Sequence, residues 1–121
     1  VSCLCLTVRQ PQGTLVGAIR FWPIRVGGNP TLLLGPLAVH PTHQGEGIGR
    51  SLILTGLNKA RDRGWSRVLV IGDHLYYSRF GFFRVSKVEC PSPTDSKRIL
   101  GYDLTPGGWD RIDGAAEKWT F

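Results

Sequence analysis

The amino-acid sequence predicts one α/β domain of the α+β kind, and three observations predict it. Apolar and polar residues alternate with period two from Leu4 to Arg9, the pattern of a half-buried strand. Two short apolar runs, Thr31–Leu34 and Val68–Ile71, are too short for helices and suit buried strands. Between them Ile48, Leu52 and Gly56, with Ile53, Leu57 and Ala60 on the adjoining row, form one apolar stripe at helical spacing.

In chain order, Leu4, Leu6 and Val8 make the inward face of the first strand. Gln10-Pro11-Gln12-Gly13 has turn chemistry, and Thr14–Trp22 reads as the returning strand of a hairpin. Gly27-Gly28-Asn29-Pro30 marks a second turn, after which Thr31–Val39 reads as a strand buried on both faces. Gly35-Pro36 interrupts it. Proline has no N–H for a ladder, so this pair predicts a bulge or a local separation from a neighbouring strand. The helix after Pro41-Thr42-His43 stops at Gly64, a natural C-terminal residue. Val68–Ile71 is a strand, about His74–Phe80 a brief helix, and Gly81–Val88 a strand again. Pro91 to Ser96 is a loop and Arg98–Leu104 the last strand; the tail from Thr105 reads as loop or short helix. With no internal repeat or domain boundary, residues 1–121 read as a single domain.

Apolar residues at 41% and charged residues at 20% describe a soluble globular chain. No apolar run approaches the roughly 20 residues that span a bilayer, and no signal-peptide pattern is visible. A net charge of +6 implies a polyanionic partner without choosing among nucleic acid, membrane and a phosphorylated cofactor. No interleaved aromatic and basic motif supports nucleic acid. Lys59, Arg61, Arg63 and Arg67 read as a solvated helix end, where cations favour the dipole. Cys3, Cys5 and Cys90 are odd in number, and Cys3 and Cys5 share a strand face, poor geometry for a local disulfide. Reduced core thiols in a cytoplasmic protein are the simpler reading. No ligand spacing suggests a metal site.

The chemistry concentrates in Gln44-Gly45-Glu46-Gly47-Ile48-Gly49-Arg50, between a strand and a helix. Glycines let the backbone approach a ligand closely, and the first helical turn offers unpaired N–H groups. With the helix dipole these make an anion site suited to pyrophosphate. A P-loop would need a Lys after the glycines, and none follows. A dinucleotide fingerprint would place its third glycine one position later and an acid about 20 residues on; Asp73 lies 28 residues beyond Gly45.

The wider segment from Leu37-Ala38-Val39 through His40-Pro41-Thr42-His43 to Gly49 resembles the acetyl-coenzyme A signature of the GNAT N-acetyltransferases. Further on, Gly72-Asp73-His74-Leu75-Tyr76-Tyr77-Ser78-Arg79-Phe80-Gly81-Phe82 is similar to the second motif of that family, Y-x-x-x-G-F, in the form of its bacterial YhbS-like subgroup. The resemblance covers about Val16 to Leu104. It implies a mixed, mainly antiparallel central sheet with a helix after the Gly-rich loop and a short second helix. It also implies acetyl transfer from acetyl-coenzyme A to a primary amine, small molecule or peptide, by direct attack. Under it the backbone of Leu37 and Val39 pairs with the pantetheine arm. Amides from Gln44 through Gly49, with Arg50, hold the pyrophosphate; Tyr76 contacts the cofactor edge, and Phe80 and Phe82 are core. Tyr77 sits near the sulfur as general acid. For a base the strand ahead of the loop supplies no carboxylate; Asp73, His40 and His74 are the candidates. Glu46 would repel an anion if it pointed inward, so it is expected to face solvent and support the helix N-terminus.

Members of that family usually begin with a strand and two helices before the first hairpin. Their absence here, with the absence of methionine, predicts an N-terminally truncated chain and an exposed apolar patch that a homodimer partner could cover. A coenzyme A-binding module without catalysis is the alternative from another class, and a nucleic-acid binder, on charge alone, the third.

Overall fold

In the computed structural model, residues 4–91 and 94–118 are described. β1 (Leu4–Arg9) and β2 (Leu15–Val26) form an antiparallel hairpin. β2 runs on past Trp22 to a second hairpin with β3 (Asn29–Val39). Gly27 and Gly28 form its two-residue turn with φ of +53° and +84°, a backbone that side chains with a Cβ rarely adopt. α1 (Ile48–Asp62) then crosses back, so that β4 (Arg67–Ile71) lies parallel to β3, the connection a parallel pair requires. α2 (His74–Tyr77) and a 3-10 turn at Ser78–Phe80 follow. β5 (Phe83–Arg84), β6 (Val88–Glu89), β7 (Ile99–Asp103) and β8 (Gly114–Lys118) complete the described chain. The eight-stranded sheet has the order β5-β7-β4-β3-β2-β8-β6, with β1 also on β2. Among the described residues only β3–β4 and β6–β8 are parallel.

Two cores flank the sheet. On one face the predicted stripe of α1 buries Leu52, Ile53, Leu57 and Ala60 against Ile19, Phe21, Leu32 and Leu34. Leu6 and Val8 pack against the same core, as their alternation predicts. α1 ends as expected at Gly64: its N–H donates to the carbonyl of Arg61 and that of Trp65 to the carbonyl of Ala60, a Schellman ending. The second core joins Ile24, Val26, Leu69, Val88, Ile99 and Trp109. Trp109 Nε1 donates to the Val68 carbonyl at 3.2 Å, and its backbone N–H to Asp103 Oδ1 at 2.9 Å. Trp22 and Ile71 are exposed.

The structure corrects several expectations. Gly81–Val88 is not one strand; only the two-residue strands β5 and β6 form there. The tail contains β8, built on Gly-Ala-Ala-Glu-Lys with no branched or aromatic residue to signal it. The free edge of β2 recruits it, Val26 facing Ala116, at a contact where a Cβ on Gly114 would lie 2.9 Å from Gly27 Cα. Arg67 is not at the helix end but in β4, donating to the carbonyls of Gly108, at 2.6 Å, and Pro30. Cys5 is exposed rather than a core thiol, and Cys90 is half-buried; Cys3 lies outside the described residues, as do Ser92 and Pro93 of the expected loop. β3 is buried on both faces only in its first half, and Ala38 is exposed.

Gly56 is where α1 meets the sheet. A Cβ there would lie 2.3 Å from Cε1 of Phe21, whose side chain is fully buried. Gly56→Ala is expected to destabilise the fold by about 1–3 kcal/mol through overpacking, read as a lower midpoint in urea unfolding.

Candidate functional site

The site begins where β3 parts from its neighbours. Its parallel pairing with β4 spans only Leu32–Leu34 against Val68–Val70. Against β2 the register slips between Ile19, opposite Leu37, and Phe21, opposite Leu34, so Gly35 and Pro36 together oppose Arg20. Both outcomes predicted from Gly35-Pro36, bulge and separation, occur. The His40 N–H donates to the Val16 carbonyl at 2.7 Å. Residues of that parity, His40 and Ala38, thus aim their main chain at β2, and Leu37 and Val39 aim theirs at the open side. The Gln44 side-chain amide lies there, donating to the Val39 carbonyl at 3.4 Å.

The Gly-rich loop carries the chain from that edge into α1. Gly45 and Gly47 have φ of +88° and +79°, the left-handed region, which explains two of the three glycines. Gly49 leaves room beside the facing wall, since a Cβ there would lie 3.0 Å from the Tyr76 hydroxyl, which would have to give slightly. No side chain caps α1 at Gly47, and the Ser51 N–H is bonded to the Gly47 carbonyl. The amides of Ile48, Gly49 and Arg50 come before that bond, so they lack helical acceptors and carry the positive end of the dipole.

α2 and its 3-10 turn supply the facing wall. Tyr76 packs edge-on against Phe80, centroids 5.4 Å apart, and the Arg79 guanidinium lies 5.1 Å over the Tyr76 ring. Together these elements enclose a cleft of about 510 Å³, lined by Leu37, Val39, the loop, Arg50, Tyr76 and Phe80. That volume lies within the range of small-molecule sites. Among the described lining residues none is a carboxylate, while Arg50 and Arg79 both line the cleft. The arrangement can hold an extended anionic ligand along a strand edge, phosphates at the helix start.

Residues 2–82 match the model of the acetyltransferase (GNAT) family. The chain belongs to that family. Over 81 residues it is 36% identical to the uncharacterized N-acetyltransferase YhbS of Escherichia coli strain K12, covering 65% of this chain and 48% of the relative. The uncharacterized N-acetyltransferase YjhQ of the same strain is 41% identical over 75 residues, covering 59% of this chain and 41% of the relative. The chain thus spans about half the length of the curated relatives it matches. Among solved structures, E. coli YhbS in complex with CoA superposes with a TM-score of 0.90 at 28% identity, over 96% of this chain and 67% of that one. A GNAT acetyltransferase from Brucella melitensis in complex with acetyl-CoA gives 0.76 at 31%, over 97% and 66%. The mixed, mainly antiparallel sheet with two helices is the GNAT fold.

Within this GNAT domain the predicted site residues separate. Leu37, Val39, Gln44, Gly45, Gly47, Ile48, Gly49, Arg50 and Tyr76 all line the cleft. Ala38 faces away, lining a shallow apolar depression on the other side. Glu46 is exposed, its carboxylate 3.1 Å from His43 Nδ1, so it braces the loop through that histidine instead of capping the helix. The Asp73 carboxylate caps α2, accepting from the Leu75 N–H at 3.0 Å, and His40 Nδ1 accepts from the Thr42 N–H at 3.3 Å; both perform turn work. Tyr77 does not line the cleft. It stands behind Tyr76, centroids 5.1 Å apart, against Phe82 and the bare face of Gly72, where a Cβ would lie 2.5 Å from the ring.

His43 and Arg79 line the cleft without having been singled out, and Phe80, expected in the core, lines it too. Arg79 had a signal: it follows Tyr76 by three residues in a predicted helix, which stacks their side chains on one face. His43 had none, because its place depends on Glu46 and on Gln10 from the first hairpin, whose Nε2 lies 2.9 Å from His43 Nε2.

Burial, and secondarily the neighbouring Tyr76 hydroxyl, pushes the Tyr77 phenol above the ordinary tyrosine range. Folding therefore favours its neutral form, so its linkage leaves stability unchanged below about pH 10 and lowers it as pH rises through the ordinary tyrosine value. Ultraviolet titration is expected to show a late tyrosinate component that Tyr77→Phe removes; a Tyr77→Phe titration identical to wild type would contradict this environment.

Proposed function

We propose that the chain is the acetyl-coenzyme A-dependent part of an N-acetyltransferase that acetylates a primary amine by direct attack on the thioester. The open edge at Leu37 and Val39, running into the unpaired amides of Ile48, Gly49 and Arg50, is the observation that carries this reading. An extended amide-bearing arm can pair with such an edge as an added strand does, and a pyrophosphate suits the helix start that follows. The likeness to YhbS in complex with CoA supports the same ligand here.

In the proposed reaction the amine lone pair attacks the thioester carbonyl carbon. The carbon–sulfur bond breaks, the thiolate leaves, and the nitrogen loses a proton. Tyr77, at the tyrosine of Y-x-x-x-G-F, stands one ring behind the cleft, so the proposal includes a displacement of Tyr76 that brings the Tyr77 phenol to the thiolate. Its raised pKa keeps the phenol protonated and able to donate. A phenol whose pKa is raised by burial transfers its proton uphill to a thiolate of ordinary basicity, so hydrogen bonding, with water as the final proton source, is the fitting role. For the base, Asp73 is the proposed candidate; its second carboxylate oxygen carries no described partner, and it acts through water.

The lack of a carboxylate among the described cleft residues favours a second reading, a coenzyme A-binding module without catalysis. Thiol release with a panel of amines separates the two. Under the catalytic reading, Tyr77→Phe lowers kcat about 10²-fold or more with little change in KM for acetyl-coenzyme A, whereas Tyr76→Ala chiefly raises that KM. Binding without turnover in wild type, unaltered by Tyr77→Phe, sinks the catalytic reading; no binding of acetyl-coenzyme A sinks both.

A further inference from the structure

The cleft holds more positive charge than a pyrophosphate at a helix start requires. The amides of Ile48, Gly49 and Arg50 and the dipole of α1 already provide for two phosphates. Arg50 adds a cation on the same wall. Arg79 comes from the opposite wall and lines the same cleft while remaining exposed. It is not a freely swinging side chain. Its guanidinium lies 5.1 Å over the Tyr76 ring, and that ring is fixed by edge contacts with Tyr77 and Phe80 at 5.1 and 5.4 Å. The Tyr76 hydroxyl in turn abuts Gly49, where a Cβ would come within 3.0 Å. Tyr76 therefore spans the cleft at the phosphate loop, and Arg79 is stacked on it at the solvent side. No carboxylate is described as paired with Arg79, and Glu46 of the loop is engaged by His43.

Resting on the coenzyme A reading above, we propose that Arg79 is the specificity residue for the 3′-phosphate of the ribose, selecting free coenzyme A thioesters over ligands that lack this group. Coenzyme A carries three phosphates. Two lie in the chain that continues the pantetheine arm; the third hangs from the ribose beyond them and keeps about two negative charges at neutral pH, as a phosphomonoester does. With the pyrophosphate at the α1 start, the ribose extends toward the mouth of the cleft. An exposed phosphate is well matched by a planar guanidinium whose rotamers are already restricted by stacking, because little is lost on binding. Arg50 lies on the helix that carries the amides and is assigned to the inner phosphates; Arg79 takes the outer one. Such a device discriminates against thioesters on phosphopantetheinyl carrier proteins, which have one phosphodiester and neither ribose nor 3′-phosphate.

Calorimetry with coenzyme A and 3′-dephospho-coenzyme A tests the assignment on this chain and on Arg79→Ala and Arg79→Lys. Wild type is expected to bind coenzyme A about tenfold more tightly than the dephospho form at low salt, the size of one charge-assisted contact. Arg79→Ala removes that preference by weakening coenzyme A alone, and Arg79→Lys, which keeps charge but loses the planar fork, restores part of it. Equal affinity of wild type for both ligands overturns the inference while leaving the coenzyme A reading standing. Arg79→Ala weakening both ligands equally also overturns it, and moves Arg79 to the pyrophosphate. If neither ligand binds wild type, the coenzyme A reading itself fails.

Discussion

The site depends on the short length over which β3 and β4 stay paired. Parallel strands share evenly spaced bonds, and here the sharing lasts from Leu32–Val68 to Leu34–Val70. Gly35 and Pro36 then enter β3, where proline brings no donor and the pair bulges against β2. Past that point β3 keeps β2 on one side and turns the main-chain groups of Leu37 and Val39 toward a gap. Polar backbone at such an edge needs a partner, from water, side chain or ligand. Gln44 reaches the Val39 carbonyl, a contact that an extended ligand could replace with its own amide.

A gap of this kind persists only if what lies around it is rigid. On the α1 side, fully buried Ile19, Phe21, Leu32, Ile53 and Leu57 close-pack below the opening, each side chain contributing roughly 1.5–3 kcal/mol by burial. Gly56 allows α1 close enough to Phe21 for the helix start to aim at the strand edge. On the other side, Trp109 and Arg67 bind the main chain of β4, the 105–111 turn and the start of β3 together. The strands are thus held firmly at one end and parted at the other.

Charge follows the same division. The cleft gathers Arg50, Arg79 and the α1 amides, while the loop's carboxylate, Glu46, is drawn aside by His43. Behind the Tyr76 wall, burial pushes the Tyr77 phenol above the ordinary tyrosine range. An anion-attracting mouth therefore stands in front of an aromatic wall, with a partly buried phenol on the far side of it.

The helix, the first hairpin, the Gly-rich loop and the break at Gly35-Pro36 were legible in the sequence because each rests on local chemistry: a 3.6-residue stripe, period-two alternation, glycines at left-handed φ, a missing N–H. β8 was not, since Gly114-Ala115-Ala116 has no strand signal and pairs only because the edge of β2 is free. Arg67 read as a helix-end cation because sequence shows charge but not the carbonyls of Gly108 and Pro30 that receive it. The same holds in the site. The sequence by itself determined the Gly-rich loop and the strand leading into it. Only the tertiary structure decided that Tyr76 and Arg79 form the facing wall, that Asp73 caps a helix and that Tyr77 stands one ring behind the cleft, because those outcomes depend on which faces of separate elements meet.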